Sequence, residues 1–167
     1  MSQSESETDG EAKLPPGVGP HEGRELELML AGTKPMAMFS EIIPEEEFRP
    51  HVESGRFVKV ELWIQIGLKH CQAIPCVYYA PPEEIHRIAR MVTLHREVWA
   101  GLRIMHEDYD WEVGRLLGYT DWEIEQWLAW WKLQNADRMD EIERLRAEWR
   151  ARREEEARAA NPIYSPE

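Results

Sequence analysis

With 167 residues and 43% hydrophobic content, the chain is long enough for one domain with a real core and too short for two comfortable ones. Thirty-two Asp and Glu against twenty Lys and Arg give a net charge of -12, which repels phosphate backbones and anionic membrane surfaces and disfavours direct nucleic-acid binding. No run approaches the roughly 20 apolar residues of a membrane span, and the opening has neither the basic start nor the apolar stretch of a secretory signal, so a cytoplasmic location is expected. Two cysteines, Cys71 and Cys76, make no disulfide framework and fit a reducing compartment.

Residues 1–20 are rich in Ser, Glu, Gly and Pro and carry too little apolar surface to offset ordering entropy, so they read as a disordered acidic tail. The α+β domain is expected over 21–135. "RELELMLA" is a run of helix formers closed by Gly32 and Pro35, which favours a short helix over the strand its alternation would allow. "PMAMFSEII" reads as a strand, and "PEEEFRPHVESG" as an acidic loop ending in a turn. In "FVKVELWIQI", Val58, Val60, Leu62, Ile64 and Ile66 alternate with Lys59, Glu61, Trp63 and Gln65, the period of a strand with one buried and one wetter face. A turn at "GLKHCQA" leads to "IPCVYYA", a third strand that places Tyr78 and Tyr79 on opposite faces. The short connections point to an antiparallel meander.

Helical periodicity takes over at "PPEEIHRIARMVTLHREVWAGLRIM", where Ile85, Ile88, Val92, His95, Trp99 and Leu102 make one stripe. A second helix, "DWEVGRLLG", is expected between an Asp110 cap and Gly118, and "TDWE" is a capping box opening a third. There "WLAWWKLQ" sets three tryptophans in five positions, with Trp127 and Trp131 sharing a face with Ile124 and Leu128, and Trp130 at its edge. Residues 136–160 form a charged helical extension whose narrow apolar seam runs through Met139, Ile142, Leu145 and Trp149, and 161–167 is a short tail. The expected architecture is a short helix, a three-stranded antiparallel sheet, a long packed helix, and a helical hairpin leading into a charged C-terminal helix.

No nucleotide loop, catalytic triad, dinucleotide fingerprint or calcium loop is present, and "GTKPM" lacks the rest of a phosphate loop. "GRLLGYTDWEIEQWL" has the cadence of a helix-turn-helix, but its second helix offers Trp and Glu where base edges need Arg, Lys, Asn or Gln. No cofactor is implied. Eight tryptophans exceed what a core of this size commonly holds, and Trp is enriched at binding hot spots. The leading reading is therefore a non-catalytic interaction or regulatory protein. It binds a protein partner, or itself, through Trp127, Trp130, Trp131, Ile142, Leu145 and Trp149. The competing reading is a small enzyme whose acid-base site combines His51, Glu61, Tyr79 and His95 between the sheet and its loops, the imidazole tuned by a neighbouring carboxylate. Charged loop clusters such as Arg49, His51 and Glu53, or His21, Glu22, Arg24 and Glu25, are ordinarily just solvated. A third set, His70, Cys71 and Cys76, has the right atoms for a soft metal without a standard zinc spacing.

Overall fold

The computed structural model describes residues 14–66, 72–99 and 102–160. It has the expected α+β order. Helix α1 (Glu25–Leu30) leads into strand β1 (Ala37–Phe39), helix α2 (Glu45–Glu53), and strands β2 (Val58–Ile66) and β3 (Gln72–Ala80). Helices α3 (Ile85–Trp99), α4 (Glu107–Leu117), α5 (Asp121–Gln134) and α6 (Met139–Ala160) complete the chain.

The sheet is antiparallel, but its order is β1-β3-β2, so the expected meander is corrected. β3 takes the centre, pairing Val77–Tyr79 with Ala37–Phe39 on one side and its whole length with β2 on the other. The physical reason lies in "CVYYA": Cys76, Val77, Tyr78, Tyr79 and Ala80 are all buried, as in a strand covered on both faces, and such a strand suits the centre of the sheet. Pro75 is tolerated because β1 does not extend that far, leaving its edge unpaired there.

Alternation then builds two cores. Tyr78, Cys76 and Ala80 join Met36, Ile88 and Met91 under α3, with Val60 and Leu62 of β2 and Val113, Leu116 and Leu117 of α4 packed around them. Val77 and Tyr79 face the other way, into Met29, Ala37, Phe48 and Phe57 beneath α1 and α2. The face expected to be wetter is thus partly roofed by α2, a helix where the sequence suggested an acidic loop. Glu45, Glu46 and Glu47 in its first turn suit the positive helix end. Pro50 inside it removes one backbone bond and costs ~3 kcal/mol. Phe48 answers that cost: it is fully buried and stacks on Tyr79 with ring centroids 4.2 Å apart, and burying a Phe contributes about 1.5–3 kcal/mol. Tertiary packing overrides local propensity here.

The stripe of α3 is rotated from the expected one. Ile88, Met91, Leu94 and His95 are buried, whereas Ile85 and Leu102 are exposed. Helix α4 starts earlier than expected, at Glu107 with His106 before it, so Asp110 lies inside the helix and does not cap it. Gly118 does close it, at φ 85°, and a Cβ there would collide with Pro35. The Thr120–Glu123 capping box forms as expected.

Residues 14–20, assigned on composition to a disordered tail, lie against the helical half. Val18 is 6% exposed, and Gly17 sits so close to the Trp122 indole that a Cβ would stand 2.7 Å from it. Val18 supplies this segment with a buried apolar contact, which composition averaged over twenty residues conceals. Among the described residues no helix is long and apolar enough to cross a membrane.

Candidate functional site

Trp127, Trp130 and Trp131 of α5 divide between a groove and a cavity. The buried face of α5 is Ile124 and Leu128, not the indoles. Trp127, Trp130 and Trp131 are half-buried, left partly open by the neighbouring elements. Trp127 and Trp131 line a groove of about 590 Å³, opposite Ile142, Leu145 and Trp149 of α6 and beside Ile104 and Met105. Five of the six residues expected to bind a partner therefore converge on one groove. Trp130 faces a second cavity, of about 560 Å³, on the side of the N-terminal segment, and Trp127 lines both.

Arg146 fastens α6 to the body. Its guanidinium donates to the Met105 carbonyl at 3.0 Å, pairs with Glu143 at 2.6 Å and stands 6.0 Å from the centroid of the Trp131 ring. Lys132 pairs with Glu107 at 2.6 Å and ties α5 to α4. Beyond these contacts α6 is held loosely: none of its described residues is buried, and Leu145 is 50% exposed. Arg103 and Arg152 stand on the groove rim with Arg146, and Arg152 makes no ion pair among the described residues.

Asp110 lines both the groove and the cavity. Its carboxyl is pushed up to about 6, chiefly by burial, against the opposing pull of Arg146 and His106. It accepts no hydrogen bond and makes no ion pair among the described residues. The sequence marked it only as a helix cap, because "HEDYDWE" gives the same text whether the helix begins before or after it.

Comparison with protein-family models, with curated proteins and with solved structures returns no match.

The acid-base quartet is not brought together. Tyr79 faces α2, with its hydroxyl 3.4 Å from Glu45, while His95 faces the sheet from the α3 side and bonds Tyr78 at 2.7 Å. Burial holds His95 neutral, its pKa lowered to about 4. His51 lies on α2 against Phe57, ring centroids 5.6 Å apart, and Glu61 is exposed on β2, 3.5 Å from Lys59. Successive strand residues point to opposite faces, so Tyr79 and His95 are separated by the sheet itself. Of the metal set, His70 and Cys71 lie outside the described residues. Cys76 is buried beside Tyr78 with its thiol pushed up by burial. Among the described residues no group of three or more His, Cys, Asp and Glu is arranged to hold a metal ion.

Lys34, passed over in "GTKPM", is 3% exposed. Its ammonium reaches His21 Nδ1 at 3.1 Å and the Leu117 carbonyl at 3.0 Å, and lies 4.8 Å from the centroid of the Tyr119 ring, on which His21 stacks at 4.2 Å. Burial lowers its pKa to about 8. A cation on the last carbonyls of α4 suits the negative helix end, so Lys34 ties the N-terminal segment to the α4–α5 hairpin.

Proposed function

We propose that this chain is a non-catalytic interaction protein of the cytoplasm that seats an apolar segment of a protein partner between α5 and α6. The observation that carries the reading is the convergence of Trp127, Trp131, Ile142, Leu145 and Trp149 on one groove. Half-buried indoles that a partner can cover are the usual anchors of binding energy. The groove runs along α6 from Ile142 to Arg152, which at 1.5 Å per residue is about 15 Å, the length of two to three turns of a partner helix. Arg103 and Arg146 are engaged by Glu97, Asp108, Glu112 and Glu143, which leaves Arg152 on the rim to favour a carboxylate at one flank of the partner. An amphipathic helix with two or three large apolar side chains and a carboxylate beside them meets both demands.

The test is quantitative affinity capture from the host with the wild-type chain, a Trp149→Ala/Leu145→Ala variant and an Arg158→Ala control far from the groove. A partner retained by wild type and control and lost by the groove variant supports the reading, once unchanged circular dichroism shows the fold intact. Equal recovery by all three, or recovery by none, overturns it.

A further inference from the structure

The second cavity differs in chemistry from the groove. Its walls are the indoles of Trp127 and Trp130 and the phenol ring of Tyr119, and its polar groups include the carboxylates of Glu22, Glu25 and Asp110. Among the described residues no lysine, arginine or histidine lines it. Glu22, Glu25 and Asp110 make no ion pair with any described residue, whereas Glu123, also at the wall, is engaged by the Thr120 amide at 2.7 Å and hydroxyl at 2.9 Å. Among the described residues, Lys34 lies over the Tyr119 ring and bonds His21 and the Leu117 carbonyl; its charge acts on Glu25 and Glu123, and the charges of Arg146 and His106 act on Asp110, but none of these cations lines the cavity.

Aromatic faces carry negative charge at their centres and attract cations, most strongly when water is excluded. Carboxylates add the matching charge, while the apolar walls disfavour a small, strongly hydrated metal ion. About 560 Å³ is the space of a small organic molecule, and the remaining wall, from Leu14, Val18 and Val113, accepts an apolar body. We infer that the cavity between the N-terminal segment and the α4–α5 hairpin is a binding site for a free organic cation, an alkylated ammonium group carrying an apolar substituent. The headgroup sits between the Trp127 and Trp130 rings with Asp110 and Glu25 beside it, and the substituent extends toward Val18. This site goes beyond the partner groove and stands or falls independently, because Trp130, Glu25 and Val18 line only the cavity.

Isothermal titration of the full chain with benzyltrimethylammonium, and with its neutral isostere neopentylbenzene, tests the charge and the shape separately. Saturable one-to-one binding of the cation is expected, with the isostere at least about tenfold weaker. Trp130→Ala and Glu25→Gln should each weaken the cation several-fold and leave partner capture intact. Glu25 is at the wall and outside both cores, so that variant tests the site even if Trp130→Ala disturbs the fold. No saturation at millimolar cation overturns the assignment. So does an isostere that binds equally well, or an affinity indifferent to Glu25→Gln.

Discussion

Tyr78 Oη and His95 Nδ1 meet 2.7 Å apart between β3 and α3, both side chains buried. The pair sits where an uncharged imidazole is the only form that burial tolerates, since desolvation lowers the His95 pKa to about 4. A group whose folded pKa lies below its unfolded value of about 6.5 takes up its proton more readily when the chain unfolds. Its contribution is therefore present above pH 6.5 and lost as the pH falls toward 4.

Unfolding free energy measured by urea titration should accordingly decline by about 2 kcal/mol from this residue between pH 7 and 5. His21, whose pKa is also lowered by burial, acts in the same direction. Asp110 acts in the opposite one: held at about 6, above its ordinary value, it takes up a proton in the folded state and gains stability as the pH falls from 6 toward 4. The two variants separate these contributions. His95→Gln should flatten the acid decline, and Asp110→Asn should steepen it; a pH profile unchanged by His95→Gln would refute the first assignment.

The α4–α5 hairpin depends on a missing methyl group. A Cβ on Gly114 would stand 2.6 Å from Ile124 Cγ1, and the branched Ile has little rotamer freedom to retreat. Gly114→Ala should destabilise by about 1–3 kcal/mol by overpacking. Ile124→Ala opens space at the same point, so the double variant should be more stable than the sum of the two single losses predicts. Additive losses in chemical denaturation would show that the two positions do not compete.

At the start of α5, the Glu123 amide donates to Thr120 Oγ1 at 3.3 Å and the Thr120 amide donates to the Glu123 carboxylate at 2.7 Å. Thr120→Ala should cost about 1 kcal/mol, with Thr120→Asp losing less because its carboxylate can accept the same bond. Thermal melts of the three proteins measure the difference.

Within α5 and α6 the burial pattern separates stability from binding. Ile124 and Leu128 are buried, so Leu128→Ala should cost about 2–5 kcal/mol. Leu145 is half exposed on a helix with no buried residue, and Leu145→Ala should cost less than about 1 kcal/mol while still weakening partner capture. A large stability loss at Leu145 would mean that the groove closes in solution and that α6 belongs to the core.

Periodicity alone determined much of this protein. The strand at β2, the capping box at Thr120, the glycine closing α4 and the helical spacing of Trp127 and Trp131 are local properties, set by neighbours a few residues apart, and each stands as the residues predicted. The side of the sheet on which a residue falls is also legible, which is why Tyr78 and Tyr79 were separable from the text. Tertiary structure decided whatever depends on distant surface. It set β3 in the centre of the sheet and made a helix of "EEEFRPHVE" by burying Phe48 on Tyr79, and it ordered residues 14–20 against Trp122. The same dependence separates the sites. Trp131 and Trp149 share a groove and Asp110 lines both that groove and the second cavity because the α4–α5 hairpin and α6 fold back on one another, and no spacing along the chain encodes that approach.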